Sequence, residues 1–313
     1  MSRAPSLTVR LAGGLGNQLF MYAAARRMSV VSGVPLDLDI ESGFRRDYYR
    51  RGYGLGRLIG PRPACGRGRS YSEPVTGRPR ELLELARWRY GVRAPRWIVD
   101  DPYRFETGLL DVPVDRPTYV RGYFQSERYF ADVAAAVREE IRFAPDPSEE
   151  SRSTAARIES LAHPVAVHAR LLYSLPQVER SEELPSRSEV TLSDSVPDWG
   201  YYREAACSLS ERLGEVAFLV FSDHPDLAAS SLELPGPTTV VQHNSHAAAW
   251  EDLWLMSKCR HHVLCASTFG WWGAWLAEHS EQIVIAPTAG YPNRDMMPER
   301  WELRDRTGRP AQR

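Results

Sequence analysis

Leu7-Thr8-Val9-Arg10-Leu11 is a short β-rich run that ends in Gly13-Gly14-Leu15-Gly16-Asn17. From Gln18 onward Leu19, Phe20, Tyr22, Ala23, Met28 and Val31 recur at helical spacing, and Gly33 is the expected stop. Val34 to Asp39 then reads as a second strand. Strand, glycine turn, helix and strand packed so closely make a βαβ unit. The right-handed crossover of such units yields a parallel sheet covered by helices.

The alternation continues along the chain. Val120 to Phe124 is the next expected strand, Glu127 to Phe143 a helix, and Ala144-Pro145-Asp146-Pro147-Ser148 has the composition of a linker. A second series follows. Pro164 to His168 reads as a strand, Trp199 to Leu213 as an amphipathic helix, and Val216 to Phe221 as a strand buried on both faces. Val240 to Gln242, His262 to Cys265 and Ile283 to Ala286 are further strands, with Trp250 to Cys259 and Phe269 to Glu278 as helices. Two α/β domains, 1–150 and 151–313, are expected. Arg45 to Arg104 is rich in Arg, Gly, Pro and Tyr and reads as an irregular surface region, helical only over Glu81 to Tyr90. It is either an acceptor-binding insertion or a solvated loop.

Composition narrows the function classes. The 313 residues suit two domains, and 39 Lys plus Arg against 40 Asp plus Glu leave a net charge of −1. That balance argues against a partner held by bulk charge, such as nucleic acid or an anionic membrane. The apolar run Val216–Phe221 is far short of the ~20 residues of a membrane-spanning helix. MSRAPSLTVRLAGG has no apolar stretch of the secretory kind, so a cytoplasmic protein is expected. The four cysteines contain no C-x-x-C pair and read as reduced thiols, with no metal site expected.

Polar groups gather where strands end. The turn Gly13-Gly14-Leu15-Gly16-Asn17-Gln18 lets backbone N–H groups approach a ligand at a helix N-terminus. Its spacing is neither that of a dinucleotide fingerprint nor that of a P-loop, which disfavours a generic NAD-binding protein. His168-Ala169-Arg170 ends a buried strand, and an arginine there either bonds an acidic neighbour or meets an anion such as a diphosphate. His168 alone reads as a hydrogen-bonded structural histidine. Asp223 either caps the following helix or accepts from a nucleotide base or ribose. Ser267 and Thr268 form either an N-cap or a phosphate cradle ahead of Phe269, while Trp271, Trp272 and Trp275 read as helix-packing core.

Together these segments resemble the inverting α-1,2-fucosyltransferases, glycosyltransferase family 11. The likeness is carried by Gly13-Gly14-Leu15-Gly16-Asn17-Gln18-Leu19-Phe20, by Gly122 to Phe130, by Val220-Phe221-Ser222-Asp223, and by Asp252 to Cys259 running on through Ser267 to Leu276 and Ile285-Ala286-Pro287. The resemblance implies a GT-B fold, two Rossmann-like domains facing across a cleft. The N-terminal domain would be the acceptor side and the C-terminal one would bind the nucleotide sugar. GDP-fucose would be the donor and a glycan or small molecule the acceptor. No metal would be needed, and the anomeric centre would invert. By the likeness His168 and Asp223 approach the guanine, Arg170 neutralises the departing β-phosphate, and Ser267, Thr268 and the adjoining Phe269 bind the donor. Gly14, Gly16, Asn17 and Gln18 face the sugar and acceptor.

The chain departs from the family's H-x-R-R-G-D-Y motif, reading His168-Ala169-Arg170-Leu171-Leu172-Tyr173, with Ala266 for the usual Asn and His224 for a second acid. One lost charge-assisted contact to a developing diphosphate charge is worth around 2–4 kcal/mol. Another GDP-linked sugar, transferred to a small secondary-metabolite acceptor, is therefore an alternative, as is a nucleotide-sugar-binding protein without turnover. Glu127, Asp37 and Asp39 are the candidate carboxylate bases, and Leu172 to Asp198 is either a lid or a surface loop.

Overall fold

Strand β1 (Leu7–Arg10), helix α1 (Leu15–Ser32) and strand β2 (Leu36–Asp39) form the opening βαβ unit. The computed structural model describes residues 4–45, 47, 50–59, 95–171, 197–244, 248–293 and 295–311. The helix expected over Glu81–Tyr90, Cys65, and all of the Leu172–Asp198 stretch except Pro197 and Asp198 lie outside the described residues. Gly33 ends α1 in the left-handed conformation (φ 67°), where its N–H reaches Val30 O; a residue without a Cβ takes this backbone at little cost.

The chain divides into two units, Met1–Arg142 with Asn293–Met296, and Phe143–Pro292 with Met297–Arg313. The first holds a four-stranded parallel sheet in the order β2-β1-β4-β3, where β3 is Arg96–Val99 and β4 is Thr118–Arg121. Leu7, Val9, Phe20, Tyr22 and Val120 are buried in its core.

Two elements differ from the sequence expectation. Within the region expected to be irregular, Arg96–Val99 forms the edge strand β3; four residues at a sheet edge carry too short an apolar pattern to announce themselves. The helix expected over Glu127–Phe143 is broken into single 3₁₀ turns at Glu127–Tyr129 and Ala131–Val133, followed by α2 (Ala134–Glu140). Phe130 is the break. Its backbone leaves the helical region (φ −142°), and its fully buried ring packs against Phe20 with centroids 6.3 Å apart.

The second unit contains α3 (Glu149–Ser160), β5 (Pro164–Ala169), α4 (Trp199–Leu213), β6 (Ala217–Ser222), α5 (Pro225–Ser231) and β7 (Thr238–Val241). It continues through α6 (Ala249–Lys258), β8 (His261–Val263), α7 (Thr268–Leu276), β9 (Val284–Pro287) and β10 (Glu302–Arg304). Among the described residues its six strands are all parallel, in the order β10-β9-β8-β5-β6-β7. Counted from β5, that is the doubly wound 3-2-1-4-5-6 order, in which successive strands add outward from the centre in both directions. The reversal falls between β5 and β8, and ligands of such sheets bind beyond the carboxyl ends of the strands at that point. Every residue of β5 is buried, as a central strand covered on both faces should be. Trp271, Trp272 and Trp275 of α7 are buried core. Among the described residues, no helix is long and apolar enough to cross a membrane.

Candidate functional site

A cavity of about 320 Å³ opens in the second unit beyond the carboxyl ends of β5, β6 and β7. Its lining includes His168 and Arg170 from the end of β5, Asp223 from the end of β6, Asn244 after β7, Asp252 on α6 and Phe269 on α7. Arg170 Nε lies 3.7 Å from Asp223 Oδ2, and both side chains are half-buried. Asp223 Oδ1 also accepts from the Leu171 amide at 2.7 Å. Asp223 therefore does not cap the next helix: the N-cap of α5 is His224, without a side-chain capping bond. The carboxylate instead ties the end of β5 to the end of β6, and the guanidinium stands over the cavity beside it.

His168 is buried, with Nδ1 3.4 Å from Cys265 Sγ and its ring 5.6 Å from that of Phe269. Burial first, and then the neighbouring Arg170 charge, pulls its pKa down to about 3, so the imidazole is neutral near pH 7. A neutral ring offers one donor and one acceptor. The start of α7 comes close to it through Gly270, where a Cβ would sit 2.4 Å from His168 Nδ1. Ser267 is the N-cap of α7, its hydroxyl accepting from Phe269 N at 3.3 Å, and Thr268 is the first helical residue.

The first unit gathers a different set at its own strand-order reversal, between β1 and β4. Gly13 is left-handed (φ 73°), Gly14 is the N-cap of α1, and Gly16 lies buried in its first turn. Asn17 Oδ1 accepts from Gln125 Nε2 at 3.0 Å, which links the turn after β1 to the segment after β4. Gln18 is buried, and its amide is committed to the backbone. It donates to Gly13 O at 2.9 Å and Gly52 O at 3.0 Å, and accepts from Gly54 N at 2.9 Å. Its side chain braces the glycine turn from behind. Glu127 is half-buried at the start of the 3₁₀ turn capped by Ser126.

Of the other carboxylates, Asp37 is half-buried on β2, whereas Asp39 is fully engaged. Asp39 accepts from Glu41 N, Ser42 N, Ser42 Oγ and the Tyr119 hydroxyl. Burial works to raise its pKa, but these donors outweigh burial and hold it below the ordinary value. A carboxylate so stabilised is a weak base.

Two carboxyls stand out that the sequence reading passed over. Asp252 lines the cavity and accepts from Asn244 Nδ2 at 2.7 Å; burial pushes its pKa up to about 6. It opens one of the stretches that resemble family 11, but nothing in its spacing marks it as facing a cavity. Asp100, just after β3, accepts from Tyr123 N at 3.0 Å and Phe124 N at 2.7 Å, and burial pushes it too up to about 6. It holds the turn in which Gly122 (φ 142°) and Phe124 (φ 50°) take positive φ.

The family model of glycosyl transferase family 11 matches residues 104–302, which span the whole cavity. The chain belongs to glycosyl transferase family 11. It is a glycosyltransferase. An alpha-1,2-colitosyltransferase of Escherichia coli is 25% identical over 308 residues, covering 94% of this chain and 97% of that protein. The O-antigen biosynthesis glycosyltransferase WbnK of Escherichia coli is 33% identical over 87 residues, 28% of this chain and 29% of that protein. Among solved structures, fucosyltransferase NodZ from Bradyrhizobium aligns with a TM-score of 0.46 at 15% identity, covering 87% of this chain and 93% of that one.

In this family 11 transferase one departure from the motif, at Leu171, has a packing role. Leu171, in place of the second arginine, is buried and packs with Leu227 against Trp199.

Proposed function

We propose that the chain transfers fucose from GDP-fucose to an acceptor hydroxyl, with inversion and without a metal. The observation that carries this reading is Arg170, held beside Asp223 at the mouth of the cavity beyond β5. A guanidinium there suits the diphosphate of a nucleotide sugar, whose charge grows as the glycosidic bond breaks. Ser267, Thr268 and the N-terminus of α7 add donors and the positive end of a helix dipole on the same side. Neutral His168, Asp223 and Asp252 supply the acceptors and donors that a guanine edge and a ribose require.

On the acceptor side, Asn17 with Gly14, Gly16 and Gln18 would shape the sugar-facing turn. Glu127 would take the acceptor proton, and Asp39, occupied by four donors, would not. The displacement forms the bond from the acceptor oxygen to the anomeric carbon and breaks the bond to the β-phosphate oxygen. The hydroxyl proton passes to Glu127 and GDP leaves as the anion. A second reading keeps the same site but uses another GDP-linked sugar on a small acceptor. It is favoured by the relative that aligns over nearly the whole chain, which is named for colitose transfer.

Calorimetric titration of GDP and UDP, with and without EDTA, beside Arg170→Ala, tests the proposal. Selective GDP binding that survives EDTA and fades in the variant supports it. No GDP binding by the wild type removes the donor assignment. Transfer assays with GDP-fucose and other GDP-sugars then separate the two readings.

A further inference from the structure

Behind the wall that Asn244 and Asp252 give to the cavity, a chain of hydrogen bonds runs back into helix α3. Asn244 Nδ2 donates to Asp252 Oδ1 at 2.7 Å, and Ser151 Oγ donates to Asn244 Oδ1 at 3.3 Å. Ser151 Oγ also lies 2.9 Å from His243 Nε2. Proton counting limits the directions in this chain. An ionised carboxylate only accepts, so Asn244 must turn its NH₂ toward Asp252 and its carbonyl toward Ser151. The single hydroxyl proton of Ser151 lies toward that carbonyl, with the Glu251 carboxylate as a second acceptor, so His243 Nε2 must be the donor to Ser151 Oγ.

Ser151 itself is firmly held. It is completely buried, and its amide donates to Ser148 Oγ at 3.2 Å. The Ser148 hydroxyl in turn donates to Glu251 Oε2 at 2.7 Å, with the Ser148 amide on the same oxygen at 3.0 Å. Glu251 is the residue before Asp252 on α6, so α3 and α6 are locked together at the level of the cavity. Neither Ser151 nor His243 lines the cavity; Asn244 and Asp252 do.

We propose that Ser151 is a positioning residue for base recognition: by donating to Asn244 it fixes the amide that aims the Asp252 carboxylate at the nucleobase. The inference rests on the reading of the cavity as a GDP-sugar site. Remove the Ser151 hydroxyl and the half-buried Asn244 carbonyl loses its donor, so the amide is free to rotate and Asp252 is no longer held. A fixed carboxylate rewards a base edge that presents two N–H donors over one that presents a single N–H. Guanine and hypoxanthine differ in that respect alone, through the 2-amino group.

The test is the ratio of GDP to IDP affinity in the intact protein, by calorimetry, for wild type, Ser151→Ala and Asn244→Leu, with thermal melts of each. The wild type is expected to prefer GDP. Ser151→Ala is expected to lose about tenfold in GDP affinity and little in IDP affinity, so that the ratio falls toward one. General loosening of the fold would weaken both nucleotides together and leave the ratio in place. Asn244→Leu breaks the same chain at its next link and is expected to flatten the ratio should Ser151→Ala melt too low to titrate. An unchanged ratio in a folded variant, or equal binding of GDP and IDP by the wild type, overturns the inference. A wild type that binds neither nucleotide overturns the GDP-sugar reading and this inference with it.

Discussion

Asp223 serves Arg170 and Leu171 at once: one carboxylate oxygen lies 3.7 Å from the Arg170 guanidinium and the other accepts the Leu171 amide at 2.7 Å. The arginine that would meet the diphosphate is thus oriented by the same group that fastens β5 to β6. Arg170→Ala is expected to lower kcat by about 10²–10³-fold, the usual cost of one preorganised donor to a developing anion, with little change in melting temperature. Asp223→Asn keeps an acceptor for Leu171 but loses the charge, and is expected to cost roughly tenfold. Steady-state kinetics beside thermal melts checks both. A wild-type rate in Arg170→Ala would end the assignment.

Gly270 is expected to be intolerant of even one methyl group. A Cβ there would lie 2.4 Å from His168 Nδ1 and 3.1 Å from His168 Cγ, and the ring is buried between β5 and α7 with nowhere to retreat. Gly270→Ala should destabilise the protein by about 1–3 kcal/mol and weaken nucleotide binding through the displaced imidazole. Chemical denaturation and GDP titration of the variant measure the two effects separately.

Periodicity and punctuation made most of the second unit legible in advance. Trp199–Leu213 runs over the expected residues, Val216–Phe221 is offset by one from β6, and Gly33 stops α1 through its positive φ. Those signals are local, and local signals survive folding. What escaped depends on contacts distant in sequence. Phe130 sits in a helical pattern but leaves the helix to reach Phe20, over a hundred residues earlier. Asp100 looks like any acid after a short strand until the turn at Tyr123 and Phe124 folds onto it. Asp223 reads equally as a helix cap or a ligand contact, and only the neighbouring β5 shows that its carboxylate turns sideways to Leu171 and Arg170.

Asn17 and Gln18 are adjacent, yet their substitutions should separate. Gln18→Ala leaves Gly13 O, Gly52 O and Gly54 N without their partner, and should cost about 2–4 kcal/mol of stability. Asn17 is half-buried and, among the described residues, makes its side-chain hydrogen bond to Gln125, so Asn17→Ala should melt within a few degrees of wild type while losing transfer activity. Melting curves and transfer rates on the two variants settle whether the glycine turn has one structural and one functional amide.

Asp252 should give stability and ligand binding opposite dependences on pH. Its pKa is pushed up to about 6 by burial, from an ordinary value of 3.8, so the folded protein holds this proton more tightly than the unfolded chain does. The resulting stabilisation is fully present below pH 3.8 and is lost as pH rises through about 6. Wild type should therefore lose stability relative to Asp252→Asn between pH 4 and 7, by up to about 1.4 kcal/mol per unit within that window. Recognition of a base through its N–H donors needs the carboxylate, so GDP binding should weaken as pH falls below 6, approaching tenfold per unit. Asp252→Asn should bind GDP poorly and with a flatter profile. Denaturation curves and GDP titrations across pH 4–8 provide both readouts, and a wild-type binding profile that stays level through pH 6 would remove Asp252 from the recognition of the base.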